Sequence, residues 1–333
     1  MATAQLNLFS AVKYYRKLSR ELQENLAKNP NDWPKFQEIF NHSVDKVYDD
    51  IRTFEKDNID KFEDRVYKLK KIFEKRYRNA FLYGEFIKWS YEKPYKYAGD
   101  FKIIDEIYRN SPRTTGFDRL WDNYFQQLAA PIAIRERKDD FKIIILDFVK
   151  LHKNKDLRIM NLASGPAREI KELLEGDKDK IFSKVVFDCY DFDMNAIEYA
   201  RQLLNHSANV NFIQKNAIRI ALKKDIRKEI PQTYDLIYST GLFDYFDERI
   251  ASMLIGNLKK ILNKGGLMAI STARSKYHNA SACWMEWVAE WNLIYRTEAE
   301  FRKIFLNAGF PAQDLQIFPQ RSKVMQYCLA VLR

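Results

Sequence analysis

From residue 5 to about residue 90, apolar side chains recur at three- and four-residue intervals. Phe9, Val12, Tyr15, Leu18, Leu22 and Leu26 form one stripe; Trp33, Phe36, Phe40, Val44, Val47, Ile51 and Phe54 a second; Ile59, Phe62, Val66, Leu69 and Phe73 a third. This period puts each set on one helical face, which predicts three amphipathic helices. "NPNDWP", with two prolines among turn-forming residues, separates the first from the second, and "KDNID" is read as the bend between the second and third. Each helix must bury its one apolar face against the others or against the remainder of the chain, a long coiled coil being the alternative.

Residues 91 to 117 change character: proline, glycine and tyrosine cluster ahead of a short helical pattern, predicting a structured loop and a short helix. A further helix is expected over "KDDFKIIILDFVKLHKN". From 157 onward strand-like and helix-like segments alternate. "LRIMNLA", "KVVFDCYDF", "VNFIQKN", "YDLIYST" and "LMAIST" read as strands, separated by the helices "AREIKELLEG", "MNAIEYARQLLN" and "DERIASMLIGNLKKILN" and by the turn "KGG". Such alternation predicts an α/β fold with a helix-flanked parallel sheet. Thr297 and Glu300 form the signature of a capping box, Gly309 is placed to end that helix, and "LQIF" with "MQYCLAVLR" can close the sheet as an antiparallel hairpin. The organisation expected is an N-terminal helical domain or lid over 1–125 and an α/β domain over 126–333.

The 46% hydrophobic and 14% aromatic shares are those of a globular chain, without a repeat or low-complexity tract. No apolar run reaches the roughly 18 residues of a membrane span, and the N-terminus lacks the regions of a signal peptide. Cys189, Cys283 and Cys328 are too scattered for a metal site or a disulfide framework. His42, His152, His206 and His278 show no ligand pairing either, so no metal is expected. These features point to a soluble, cytoplasmic protein. The net charge of +11 admits a nucleic-acid partner, but the basic residues are interleaved with acids as on a solvated helical surface, which disfavours that class.

The chemistry concentrates at strand ends. "NLASGPAREI" places Ala163, Ser164, Gly165, Pro166 and Ala167 where the first strand of the alternating region turns into a helix. In an open parallel sheet that turn lines the ligand crevice, small residues allow close backbone approach, and Gly165 is suited to a positive φ. An ordinary strand-to-helix turn is the alternative for this loop alone. The second strand ends in Asp191, followed by Phe192 and Asp193; Asp191 is placed to accept ribose hydroxyls, and Asp193 to do so or to cap the next helix. Asn216 and Ala217 follow the third strand, where an amide can meet an adenine edge. Gly241, Asp244 and Tyr245 follow the fourth. A dinucleotide would call for G-x-G-x-x-G to seat its pyrophosphate, whereas here Ala163, Gly165 and Arg168 occupy those positions and Glu169 opens the helix. S-adenosylmethionine carries no phosphate and suits this loop better than NAD.

With these motifs the chain resembles class I S-adenosylmethionine-dependent methyltransferases. "NLASGPAREI" is similar to their glycine-rich first motif, with Ala167 in place of a common second glycine; "DCYDFD" resembles their ribose acid, "QKNAI" their adenine contact, "YDLIYSTGLFDYF" their fourth-strand motif, and "LKKILNKGGLMAIS" their next helix, glycine turn and fifth strand. The resemblance implies a Rossmann-like seven-stranded sheet, mostly parallel with a C-terminal antiparallel hairpin. It also implies S-adenosylmethionine as cofactor and S-adenosylhomocysteine as product. "KPYKYAGDF", "AIRERK", "ASGPARE", "STGLFDYF" and "WNLIYRT" are together similar to the bacterial group associated with biosynthesis of the extracellular factor 3-hydroxypalmitic acid methyl ester. That likeness implies a 3-hydroxy fatty acid carboxylate as the methyl acceptor.

Methyl transfer is an in-line displacement for which the protein aligns the partners and excludes water. A carboxylate is ionised at neutral pH and needs no general base, whereas a hydroxyl or an ammonium must lose a proton. The candidates at the acceptor are therefore positive or hydrogen-bonding clamps, Arg135, Arg137, Arg296, Tyr97 and Tyr245, and Asp244, at the mouth of the same crevice, is counted with Tyr97, Tyr245 and Arg296 as a catalytic candidate. Asp100 and Arg135 are expected near the cofactor, "YKYAGDF" acting as a lid; Asp100 as a helix N-cap and the arginines as partners of neighbouring acids are the alternatives. Trp291 and Tyr295 read as core aromatics or substrate-side residues. A small-molecule N-methyltransferase would carry the same cofactor motifs. A nucleic-acid methyltransferase is disfavoured by the absence of proline from "STGLFDYF", and a non-catalytic cofactor-binding protein would bind without turnover. The N-terminal helices leave a homodimer open.

Overall fold

The stripe beginning at Phe9 lies on α1 (Ala2–Lys28), and the next two lie on one 44-residue helix, α2 (Trp33–Arg76). The expected bend falls at Phe62, just beyond "KDNID", where φ −142° and ψ 45° leave the helical region. Three stripes therefore give two helices, the second kinked. The computed structural model describes residues 2–153, 155–205 and 207–333, with only the backbone of 2–7; His206 lies outside them. The chain divides into two units, Met1–Ile132 with Asn279–Asn292, and Ala133–His278 with Leu293–Arg333.

In the first unit, α3 (Glu85–Glu92), α4 (Phe101–Arg109) and α5 (Gly116–Gln127) follow, and α6 (Ala129–Leu151) begins. The sequence pattern does not announce α5, yet its Trp121 and Phe125 are fully buried. Phe40 of α2 meets Trp121 edge-on with centroids 5.1 Å apart, and Tyr15 of α1 donates to the Ala80 carbonyl at 2.6 Å. Burial of each such ring contributes roughly 1.5–3 kcal/mol, so the aromatic cluster supplies much of this unit's cohesion.

In the second unit the alternation becomes β1 (Leu157–Leu162), α7 (Arg168–Glu175), β2 (Val185–Asp191), α8 (Met194–Leu203), β3 (Val210–Gln214), α9 (Ala217–Leu222), α10 (Ile226–Glu229), β4 (Tyr234–Ser239), α11 (Glu248–Lys260) and β5 (Leu262–Ala273). After β5 the chain enters the first unit as Asn279–Asn292, carrying α12 (Ala282–Trp287), whose Trp287 indole donates to Glu55 at 3.0 Å. It then returns as α13 (Glu298–Asn307), β6 (Leu315–Pro319) and β7 (Met325–Val331). The capping box at Thr297 and Glu300 is present.

The seven strands run in the order β3-β2-β1-β4-β5-β7-β6, with β7 antiparallel to both neighbours and the others parallel. The expected mostly parallel sheet with a terminal antiparallel hairpin is therefore the fold, with β7 inserted between β5 and β6. The "KGG" segment is not a turn ahead of β5 but lies within it, at a register shift opposite Tyr234 and Leu236. A Cβ on Gly266 would lie 2.7 Å from the Asn263 carbonyl oxygen and 2.9 Å from that of Asp235, which explains why the backbone there has none. Leu162, Ile237, Leu254, Ile255, Phe301 and Phe305 belong to the core of this unit. Strand order reverses between β1 and β4, which puts the ligand crevice at the carboxyl ends of β1, β2 and β4.

Candidate functional site

The turn from β1 to α7 is wound more tightly than its one glycine suggests. Ala163, Gly165 and Ala167 all adopt positive φ, at 56°, 52° and 51°. Gly165 adopts this region freely, whereas Ala163 and Ala167 each carry a Cβ into it at a cost of about 1–2 kcal/mol. A Cβ on Gly165 would meet nothing within 4 Å, so the space beyond it is open. Ser164 is buried, and among the described residues its hydroxyl has no hydrogen-bond partner.

Asp191, at the carboxyl end of β2, fastens this turn. Its Oδ2 accepts from the Gly165 N–H at 2.9 Å and its Oδ1 from the Asp193 N–H at 3.0 Å. Burial raises its pKa against those donors. The Phe192 N–H is a third backbone donor to this carboxylate, so of its four lone pairs one remains for a ribose hydroxyl. Asp193 takes the other role foreseen for it, capping α8 by accepting from the Asn195 N–H at 2.9 Å. Asn216 caps α9 through Oδ1, which accepts from Ile218 and Arg219, and Ala217 is buried behind it. Phe192, Gln214, Lys215, Asn216 and Arg219 line a cleft of about 450 Å3 adjoining the Asp191 strand end.

The sequence marks Glu169 only as a charge unfavourable to pyrophosphate. In the structure it turns inward, its Oε1 accepting from Asn161 Nδ2 at 2.8 Å and Tyr238 Oη at 2.9 Å. It thereby ties β1, α7 and β4 together beneath the turn, and burial raises its pKa. The strand alternation that orients Asn161 and Tyr238 could have signalled their meeting; the residue types alone could not.

At the carboxyl end of β4, Gly241 lies against Arg137 of α6: a Cβ there would be 3.3 Å from Nη2. Asp244, expected at the mouth of the crevice, is instead 3% exposed. Its Oδ1 accepts from the Ala273 N–H at 2.6 Å and from Thr272 Oγ1 at 3.1 Å, fixing the loop after β4 to the end of β5. Burial raises its pKa, opposed by Arg137. Arg296, expected as an acceptor clamp, also has a different task. Its guanidinium donates to the Phe243 carbonyl at 2.6 Å and to the Phe246 carbonyl, holding the same loop from behind. Tyr245, on that loop, is 41% exposed. Arg135 is half-buried on α6, and burial lowers its pKa.

Tyr97 and Asp100 belong to the first unit. Asp100 is the N-cap of α4, accepting from the Lys102 and Ile103 N–H groups, and its Oδ2 accepts from the Trp89 indole at 2.8 Å. Asp100 thus takes the alternative role foreseen for it, that of a helix N-cap. Tyr97 is half-buried in the loop ahead of it.

Residues 153–314 match the model of a methyltransferase domain. The protein is an S-adenosylmethionine-dependent methyltransferase. The open turn, the Asp191 carboxylate and the adjoining cleft fit that cofactor. None of the curated proteins matches the chain. Among solved structures, a possible exported protein from Bordetella parapertussis shares 19% identity with a TM-score of 0.56, over 70% of this chain and 79% of that one, a likeness of fold. The magnesium protoporphyrin IX methyltransferase of Synechocystis, with bound S-adenosylhomocysteine, aligns at 13% identity and a TM-score of 0.45 over 60% of this chain and 85% of that one. An O-methyltransferase family protein from Burkholderia thailandensis aligns at 14% and 0.41 over 61% of each. No helix among the described residues of this methyltransferase is long and apolar enough to cross a membrane.

Proposed function

We propose that this methyltransferase esterifies the carboxylate of a small apolar acid, a 3-hydroxy fatty acid being the acceptor class its motifs suggest. The observation that carries the reading is the state of Asp244. Asp244, on the loop after β4, is buried and already accepts from Ala273 and Thr272, so it is poorly placed to take a proton from an acceptor. An acceptor that arrives ionised removes that requirement. The resemblance of "KPYKYAGDF", "ASGPARE" and "STGLFDYF" to the methyl-ester group points the same way.

When bound, S-adenosylmethionine supplies a methyl group on a sulfonium, which a carboxylate oxygen can attack without proton transfer. In this reading Ala163, Ser164, Gly165 and Pro166 form the backbone cradle. Asp191 accepts a ribose hydroxyl, while Phe192, Asn216 and Ala217 border the adenine. Gly241 keeps the carboxyl end of β4 low, and Arg296 and Asp244 hold the loop that carries Tyr245. Tyr97 and Arg135 are assigned to acceptor and cofactor contact on the motif resemblance alone. All three cysteines are free and buried, which suits a reducing compartment such as the cytoplasm.

Mass spectrometry of reactions containing the protein, S-adenosylmethionine and a panel of 3-hydroxy fatty acids and small amines tests the proposal. A gain of one methyl on a fatty acid, cleaved by mild base as an ester is, supports it. Methylation confined to the amines would refute it.

A further inference from the structure

Arg137 is 5% exposed, yet its guanidinium is poorly matched by the protein around it. Among the described residues Nη1 reaches only the Met325 thioether sulfur at 3.4 Å and Asp244 Oδ2 at 4.0 Å, a distance beyond hydrogen bonding. Nε is buried and, among the described residues, has no hydrogen-bond partner. Arg296 is answered by the Phe243 and Phe246 carbonyls and by the charges of Asp244, Glu300, Asp247 and Glu248, whereas Arg137 has Asp244 at 4.0 Å, whose Oδ1 is already taken by Ala273 and Thr272. A buried cation left without a full partner is expensive, and a protein retains one where something else completes it. The missing side chain at Gly241 leaves a guanidinium edge uncovered at the carboxyl end of β4, where the crevice lies.

We infer that Arg137 binds a carboxylate of a bound ligand beneath Gly241. Two ligands of this site carry that group: the amino-acid end of the methyl donor and, on the reading above, the acceptor. Arginine suits either, because its planar fork matches a carboxylate. The inference rests on the proposed function only for the acceptor.

Calorimetry on the full chain, comparing wild type with Arg137→Met, separates the sources. The probes are S-adenosylhomocysteine, 5′-methylthioadenosine, which lacks the amino-acid end, and 3-hydroxypalmitate in the presence of S-adenosylhomocysteine. If the donor carboxylate binds Arg137, the substitution weakens S-adenosylhomocysteine by about 10- to 100-fold and leaves methylthioadenosine within about twofold. If the acceptor carboxylate binds it, both nucleosides are unchanged and 3-hydroxypalmitate weakens by a similar factor. Equal weakening of both nucleosides would overturn the inference. So would unchanged nucleoside binding with 3-hydroxypalmitate either bound equally by both proteins or unbound by wild type. In the last case the fatty-acid reading fails as well, whereas a donor-side loss in the same experiment would uphold Arg137 without it. Should Arg137→Met fail to fold, Gly241→Ala keeps the charge and covers the edge with a methyl 3.3 Å from Nη2; the same selective loss is expected, and its absence overturns the inference.

Discussion

Replacing Asp191 with asparagine is a severe test of how the cofactor turn is held, although the two side chains are almost the same shape. Both carboxylate oxygens accept backbone N–H groups, Gly165 at 2.9 Å and Asp193 at 3.0 Å. An asparagine has one accepting oxygen and one donating amide, so whichever way it is turned, its NH2 faces a backbone N–H. One charge-assisted bond is lost, about 1.5–3 kcal/mol, and a repulsive donor pair takes its place. The loss falls on the turn that faces the ligand and on the group assigned to the ribose. S-adenosylhomocysteine should therefore bind about 10- to 140-fold more weakly to Asp191→Asn by calorimetry. The pH dependence supplies a control. Burial raises the wild-type pKa, so wild-type affinity should fall as pH drops through that raised value and the carboxyl loses its charge, while the variant stays flat. Affinity of Asp191→Asn within about twofold of wild type at neutral pH would refute both the donor geometry and the ribose assignment.

Gly165→Ala should lower stability by only about 1 kcal/mol, because its Cβ meets nothing within 4 Å and two alanines already sit at positive φ in the same turn. It should weaken S-adenosylhomocysteine far more than its melting temperature suggests, and equal small effects on both would count against an open ligand face there. Gly266→Ala should do the reverse, with a Cβ 2.7 Å from a carbonyl oxygen giving about 1–3 kcal/mol of destabilisation in denaturant titration. For Glu169→Gln the sign follows from a raised carboxyl pKa: the folded wild type holds a proton that the unfolded chain has released, so wild-type stability falls as pH rises between the two values. The variant lacks that slope, so melts from pH 4 to 8 should show wild type losing ground to it as pH rises, and parallel curves would contradict a buried titrating Glu169.

The parts of this fold legible in the sequence are those where one residue type answers one local demand. Alternating β and α patterns predicted the parallel sheet, because buried strands and one-faced helices leave different periods. The β1–α7 turn was visible as a run of small residues, Ala163, Gly165 and Ala167, at the end of a buried strand, even without a glycine triplet. The "KGG" reading went astray because glycine marks a reversal and a close backbone approach equally well. At Gly266, where four residues of β5 stand against one of β4, the approach of the Asp235 and Asn263 carbonyls excludes a side chain. Helix α5 escaped because its buried Trp121 and Phe125 are interspersed with polar residues that themselves face partners, such as Asp122, which accepts from the Phe86 N–H at 3.1 Å.

The charged residues of the site were harder to read, and the reason is physical. Arginine and aspartate are equally at home clamping a ligand, capping a helix and bracing a loop, and the choice is made by what faces them after folding. Asp100 went to a helix cap and Asp244 to the end of β5. Arg296 went to the carbonyls of Phe243 and Phe246. Each is a use in which the protein's own backbone completes the polar group. The same accounting singles out Asp191, whose carboxylate keeps a lone pair after its backbone donors are counted, and Arg137, whose Nε finds no partner among the described residues. A binding group is distinguished from a bracing one by the valence left over once the fold has taken its share, a quantity that spacing along the chain does not contain.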